Sequence, residues 1–189
     1  TPTPTPTATL TPTPPAVNPE RLLVQSSQLM ASLNTFAFRI NHQGGGTLLT
    51  GGLVMDEATG VVARPDGLKL ELTGQMGNAV IKLSLLSQAG ATYLTNPFTG
   101  KWQKVEATVN PLNFFNPDQG IGGILTSLEL PIYVGQEQLQ DGVRAYHLRG
   151  LLPTHALASL LGTKSGKDAT LEADFWLDSD SLYLRQVTL

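Results

Sequence analysis

The spacing of hydrophobic residues changes along the chain, from the repeat of a helix to the alternation of strands. In residues 19 to 33 the apolar positions recur at helical spacing. Asn18 can cap this helix, Pro19 suits its first turn, and Glu20 favours the positive end of its dipole. The sequence therefore predicts a helix with one packing stripe. The stripe consists of Leu22, Leu23, Leu29, Met30 and Leu33.

From Phe36 onward apolar and polar residues alternate, which is the pattern of half-buried strands. The alternating apolar positions are Phe36, Phe38, Ile40, Leu68, Leu70, Leu72, Ile81, Leu83 and Leu85. Turn signals lie between these runs, at Gly44-Gly45-Gly46, Thr59-Gly60, Asp66-Gly67 and Gly77-Asn78. We therefore expect a meander of antiparallel hairpins.

The second half of the chain mixes further hairpins with short helices. The predicted elements are a hairpin of Ala91 to Leu94 with Lys101 to Val105, a helix from Asp118 to about Leu128, a hairpin from Pro131 to Gly150, a short helix from Pro153 to Leu161, and a last hairpin from Leu171 through Leu184. The glycines of the second helix indicate that it is either mobile or closely packed. The alternation continues to Leu189, so we expect a closing strand beyond it.

The first fifteen residues differ from the rest because they are almost entirely Thr and Pro. Proline fixes φ and removes a backbone donor, so this segment is expected to form an extended stalk rather than to pack. Such stalks are typical of extracytoplasmic proteins, although a disordered linker between domains has the same composition. The remaining residues, 16–189, have the length of one domain.

Composition excludes several function classes. The chain has 189 residues, no cysteine and a net charge of −3, and charged residues make up 14% of it. Absence of cysteine excludes thiol catalysis, disulfides and Cys-ligated metals. The acidic balance, without any basic run, argues against nucleic-acid binding. No apolar stretch approaches the about 20 residues that span a bilayer.

No motif of the sequence predicts catalysis. Residues 162–168 resemble a phosphate-binding loop, but the glycine spacing is too short and Asp168 replaces the Ser or Thr that would bind Mg²⁺. Asp178-Ser-Asp180-Ser lacks the glycine and glutamate of a calcium loop and is interpreted as a turn. The three histidines form no metal-binding spacing, and there is no nucleophile elbow. We therefore expect no enzyme, no metal and no cofactor.

Three segments carry a family resemblance. They are Tyr93-Leu94-Thr95 with Gly100-Lys101-Trp102-Gln103-Lys104-Val105, then Phe115-Asn116-Pro117-Asp118-Gln119-Gly120-Ile121-Gly122-Gly123-Ile124-Leu125, then Val134-Gly135-Gln136-Glu137 with Leu139 to Gly150. In order and spacing they resemble the LppX/LprAFG lipoprotein family. The resemblance covers roughly residues 16–189, and none of its signatures is catalytic.

The resemblance implies a LolA-like α+β fold, in which an antiparallel β-sheet is curved into a half-barrel with about three helices on its concave side. It also implies a hydrophobic cavity that shelters the acyl chains of a lipid or glycolipid for transport across the cell envelope. Such a protein would be a monomer, held outside the bacterial cytoplasmic membrane by a lipid anchor on a cysteine that precedes Thr1.

The residues expected to line this cavity are apolar positions of the sheet and of the segments that would face it. They are Phe36, Phe38, Ile40, Leu70, Leu72, Ile81, Leu83, Leu85, Phe114, Phe115, Ile121, Ile124, Leu125, Phe175 and Leu177. Phe175 and Leu177 fit either a cavity wall or an ordinary core. The alternative function is a membrane-tethered interaction or regulatory domain on the same scaffold, with a filled core.

Overall fold

The computed structural model of the protein describes residues 17–49, 52–106, 120–157 and 169–189. Helix α1 spans Pro19–Ser32, and the side-chain oxygen of Asn18 accepts a hydrogen bond from the Arg21 backbone N–H at 2.9 Å. This cap satisfies one of the free donors of the first turn, so the predicted helix start is confirmed. The expected stalk and the loop at 162–168 lie outside the described residues.

Within the described residues, seven strands form a large antiparallel sheet in the first half of the chain. They are β1 Thr35–Asn41, β2 Thr47–Leu48, β3 Val54–Ala63, β4 Gly67–Met76, β5 Ala79–Gln88, β6 Ala91–Thr95 and β7 Trp102–Val105. Their order is β1-β3-β4-β5-β6-β7, and β2 pairs with the start of β3. From β3 to β7 each strand pairs with the next one through a short turn, and β1 pairs with β3 across the short β2, so the predicted meander of hairpins is confirmed.

In the part of the chain that the structure describes, four further strands form a second, smaller antiparallel sheet. They are β8 Glu129–Gln138, β9 Arg144–Pro153, β10 Thr170–Asp178 and β11 Leu184–Thr188, in the order β11-β10-β9-β8. Between β10 and β11 the Asp178 carboxylate accepts hydrogen bonds from the backbone N–H groups of Asp180 and Ser181, each at 3.0 Å. The turn predicted there is confirmed.

The turn predicted at Thr59-Gly60 is wrong, because both residues lie within β3. Gly60 stands directly opposite Phe38 of β1. A Cβ atom at position 60 would lie 2.5 Å from Cε1 and Cζ of the Phe38 ring. The glycine therefore makes room for an aromatic ring in the next strand, and it does not mark a chain reversal.

Two α-helices and a 3-10 helix accompany the sheets within the described residues. Helix α2 spans Ile121–Thr126, and the 3-10 helix spans Thr154–Leu157, where a third helix was predicted. The class is α+β, as predicted, with antiparallel strands that do not close into a barrel. None of the described helices is long and apolar enough to cross a bilayer.

The helices pack mainly on the small sheet. Leu23 and Met30 of α1, Leu125 of α2 and Phe175 of β10 belong to one buried cluster. The Ser27 hydroxyl of α1 donates to the Gly122 carbonyl of α2 at 3.0 Å. The glycine-rich helix is thus closely packed against α1.

Arg64 and Ile121 link the large sheet to this helical layer. The Arg64 guanidinium, in the turn after β3, donates to the Leu33 carbonyl at the end of α1 at 2.9 Å. Ile121 of α2 packs against the cluster around Val62 and Leu68 of the large sheet and also against the cluster of the small sheet. Helix α2 therefore lies between the apolar faces of the two sheets.

Candidate functional site

The candidate site is the side of the large sheet that faces α2, called the inner face here. Strand side chains alternate between faces, so each second residue of β1, β3, β4, β5 and β6 points to this side. Strand pairing then arranges these residues in rows across the sheet. Eight of the residues predicted from sequence lie on it, namely Phe36, Phe38, Ile40, Leu70, Leu72, Ile81, Leu83 and Leu85.

One row crosses the middle of the inner face and is called the middle row. Its register partners are Phe38, Gly60, Leu70, Leu85 and Leu94, one from each of five strands. Four strand-to-strand steps of about 4.8 Å give it a length of about 19 Å. Its four side chains are all partly exposed.

Buried residues lie on both sides of the middle row. Towards one end of the sheet, Ala58 and Leu72 are buried in a cluster that includes Met55. Towards the other, Val62 and Leu68 are buried in a second cluster. Leu70 packs at the margin of both clusters. The middle row is therefore an apolar strip that its neighbours leave partly uncovered.

The inner face carries no charged side chain among the described residues. The charges of the large sheet lie on its opposite, outer face, where Lys69 pairs with Glu71 at 3.2 Å and Arg39 approaches Glu57 at 3.9 Å. A depression of about 510 Å³ also lies mainly on that outer side, against Ala37, Arg39, Thr59, Val61, Lys69 and Glu71. The inner face can thus contact apolar groups but offers no charged group for acid or base chemistry.

The remaining predicted cavity residues are distributed differently. Ile124, Leu125, Phe175 and Leu177 belong to the buried cluster between the helices and the small sheet. Phe175 and Leu177 are completely enclosed there, as in an ordinary core. Ile121 lies between the two sheets, and Phe114 and Phe115 fall outside the described residues. A lipid cavity along the inner face remains a prediction.

A second, polar cluster lies on the outer face of the small sheet. His147 of β9 is buried, with Nδ1 2.7 Å from Oε1 of Glu137 and Nε2 2.5 Å from Oδ1 of Asp174. The Trp176 ring stacks on the imidazole with centroids 4.5 Å apart, and its Nε1 donates to Oε2 of Glu137 at 2.9 Å. Arg149 Nε donates to Asp174 at 2.8 Å.

These contacts stabilise the ionised carboxylates. The hydrogen bond from Trp176, followed by that from His147, lowers the pKa of Glu137. Burial works to raise the pKa of Asp174, but Arg149 and His147 together outweigh it and hold that pKa below its usual value. Asp174 in turn raises the pKa of Arg149.

The polar cluster is not arranged for catalysis or metal binding. A general base needs a free ring nitrogen within reach of a nucleophile, and both nitrogens of His147 already contact carboxylates. No group of three or more His, Asp or Glu side chains is placed to hold a metal ion in the part of the chain that the structure describes. The cluster is best explained as a polar brace across β8, β9 and β10.

Sequence reasoning missed Leu94 and Gly60 of the middle row and the partners of His147. Leu94 continues the alternation of β6 and could have been found from it. The other two cases depend on strand register, which the sequence pattern does not show. Gly60 is needed because the Phe38 ring lies opposite it, and the residues of the polar cluster come from three separate strands.

The sequence model of the LppX/LprAFG lipoproteins matches residues 18–189, nearly the whole chain. The chain belongs to the LppX/LprAFG lipoprotein family. LprF from Mycobacterium bovis is similar in structure, with a TM-score of 0.70 and 14% sequence identity over 89% of this chain and 84% of LprF. The lipoprotein LppX from Mycobacterium tuberculosis gives a TM-score of 0.61 and 15% identity over 88% of this chain and 84% of LppX.

At this identity the two solved structures establish a shared fold. The predicted LppX/LprAFG resemblance is thus confirmed, together with the predicted half-barrel class. No curated protein sequence matches the chain.

Proposed function

We propose that this LppX/LprAFG protein is a non-catalytic lipid carrier, which shelters the acyl chains of a lipid or glycolipid against the inner face of the large sheet. The observation that carries the proposal is the middle row, an uncharged strip of partly exposed apolar side chains between two buried clusters. Membership of a lipoprotein family supports it. The carrier would act as a monomer across the cell envelope, on an N-terminal lipid anchor outside the cytoplasmic membrane.

The energetics favour a carrier of this kind. Each methylene moved from water into an apolar site contributes about 0.8 kcal/mol, so two sixteen-carbon chains represent about 25 kcal/mol that must stay covered during transfer. A protein face that offers comparable apolar contact makes exchange with a bilayer nearly neutral. Loading and release can then both proceed without a nucleotide site.

The test is lipid retention by the protein purified from a mycobacterial host. Native mass spectrometry and organic extraction should find lipid bound to the wild-type protein. Leu85→Asp places a charge in the centre of the middle row, so bound lipid should fall several-fold. Since Leu85 is only partly buried, the fold should tolerate this change better than a charge in the closed core.

The matched control is Val61→Asp, an apolar-to-acid change on the exposed outer face of the same sheet. It should retain lipid at the wild-type level. Circular dichroism checks folding, and Leu94→Asp at the end of the row replaces Leu85→Asp if the latter unfolds. The proposal would be overturned in favour of a filled-core interaction domain if the wild type carried no lipid, or if the variant of the middle row carried as much lipid as the wild type and Val61→Asp.

A further inference from the structure

The segment from Ala79 to Val105 has a charge distribution unlike the rest of the protein. It contains three lysines, Lys82, Lys101 and Lys104, and no acidic residue, in a chain whose net charge is −3. This segment forms β5, β6, β7 and the turn between the last two. No ion pair joins any of the three lysines to another residue of the described ranges.

Exposed apolar side chains accompany these lysines. Phe98 is 83% exposed, Val80 68% and Trp102 50%, and Leu86 and Tyr93 are exposed to a lesser degree. Register places Leu86, Tyr93 and Lys104 in one row of the outer face, and Trp102 in the next row, opposite Thr95. This outer surface of β5 to β7 with its turn is called the aromatic–lysine face.

Phe98 is held outward by an ordered turn. The Asn96 side-chain oxygen accepts hydrogen bonds from the backbone N–H groups of Phe98 and Thr99, each at 3.0 Å. The Gly100 N–H donates to the Asn96 carbonyl at 2.8 Å, and Gly100 has a φ of 68°, which suits glycine. The ring is therefore presented to solvent by a specific turn conformation instead of by a loose loop.

The acidic groups near this face are already engaged by other residues. Asp66 accepts a hydrogen bond from the Ala89 backbone N–H at 3.0 Å, at the end of β5 away from the Phe98 turn, and Asp56 accepts one at 3.2 Å from Gln75, which lies opposite Val80. Glu71 of β4 lies opposite Ser84 on the adjacent strand, but its carboxylate is paired with Lys69. Glu106 directly follows β7, at the end of the strand away from the Phe98 turn. Lys82 shares β5 with Val80, and Lys101 lies between Phe98 and Trp102 along the chain. The strands β5, β6 and β7 carry no acidic residue.

We propose that the aromatic–lysine face docks the protein on a lipid bilayer that carries anionic head groups. Trp and Tyr favour the boundary between head groups and acyl chains, Phe and Val insert below it, and lysines contact anionic head groups from above. Lysines on the edge strand β7 would also discourage strand pairing between molecules. That role alone would not require an exposed Phe98. The inference is independent of whether the inner face holds a lipid.

Vesicle binding tests the proposal with the chain of residues 1–189. Flotation with phosphatidylcholine vesicles containing phosphatidylglycerol should recover bound protein, and phosphatidylcholine alone should recover far less. Replacing Lys82, Lys101 and Lys104 by Gln should weaken binding on the order of 100-fold. Phe98→Ala with Trp102→Ala should weaken it about 10-fold or more.

The control changes exposed residues elsewhere, Leu130→Ala of β8 with Arg21→Gln of α1, and should bind like the wild type. A second readout uses Trp176→Phe, which leaves Trp102 as the single tryptophan. Its emission should shift to shorter wavelength on anionic vesicles. Failure of the wild type to float, equal binding of all variants, or a dimer that depends on Phe98 without vesicle binding would each overturn the proposal.

Discussion

Phe175 and Phe38 are both aromatic residues on the apolar face of a strand, yet the protein covers them differently. Phe175 is 0% exposed, and Leu148, Leu152 and Leu177 around it are equally enclosed by the helices. Phe38 lies in the middle row and is partly exposed, as are Leu70 and Leu85. The small sheet thus carries most of the closed core, while the large sheet has an apolar strip that is partly exposed.

The largest effect should come from removing an aromatic ring in the closed core. Phe175→Ala leaves a cavity among residues that cannot collapse into it, so we expect the free energy of unfolding to fall by about 3–5 kcal/mol. Phe38→Ala should cost less, about 2 kcal/mol, because that ring is partly exposed and is not enclosed on all sides. Urea denaturation of both variants measures the difference. Equal losses would mean that the two faces are covered alike.

Glycine substitutions sharpen the same comparison. A Cβ at Gly150 of the small sheet would lie 2.6 Å from the Glu129 backbone carbonyl oxygen. At Gly60 it would lie 2.5 Å from the end of the Phe38 ring and farther, 3.0 Å, from the nearest backbone atom, the Lys69 carbonyl oxygen. A side-chain ring can move more easily than a paired backbone. We therefore expect Gly150→Ala to cost up to about 3 kcal/mol and Gly60→Ala less, about 1 kcal/mol.

A double-mutant cycle tests whether the Phe38 ring causes the loss of stability expected for Gly60→Ala. Combining Gly60→Ala with Phe38→Ala removes the ring that the new methyl group would strike, so the two changes should cost less together than the sum of the single changes. Thermal melts of the four proteins supply this cycle. Simple additivity of the two losses in stability would show that the Phe38 ring is not the reason why position 60 requires glycine.

Acid should weaken the polar cluster of the small sheet. Glu137 and Asp174 have pKa values lowered from 4.5 and 3.8, so their contribution is complete above those unfolded values and is lost as pH falls through the lower folded ones. The stability of the wild type should therefore decrease between about pH 5 and 3. Urea titrations at several pH values measure it.

Other carboxylates share this acid loss, so a variant must isolate the cluster. Backbone N–H donation, first from Ser181, lowers the pKa of Asp178, and Arg185 lowers that of Asp141. Glu137→Gln with Asp174→Asn should be less stable at neutral pH and should lose less on acidification than the wild type. Parallel stability curves would show that the two carboxylates contribute nothing specific. The ion pairs of the large sheet are exposed and should contribute little.

The sequence predicts much of this arrangement because local signals specify it. The cap at Asn18 and the alternation from Phe36 onward identify α1 and most strands. Strand β3 was harder, since a bulge between Met55 and Glu57 breaks its period and Gly60 resembles a turn residue. Eight inner-face residues could be named from alternation.

Sequence could not tell which of those residues remain partly exposed. That distinction depends on where α1 and α2 pack, and they pack chiefly on the small sheet. The partners of His147 were equally hidden, because Glu137 and Asp174 come from strands whose register no sequence period reports.

The smallest change in stability should accompany a specific loss of lipid. Leu85→Trp enlarges a side chain in the middle row, where partial exposure leaves room for it, so the free energy of unfolding should change by less than about 1 kcal/mol. The indole would occupy the strip proposed for an acyl chain, and bound lipid per protein should fall. Val61→Trp on the outer face is the matched control and should keep the wild-type lipid content. A strongly destabilised Leu85→Trp would instead show that the middle row is already filled, since an overpacked core costs about 1–3 kcal/mol.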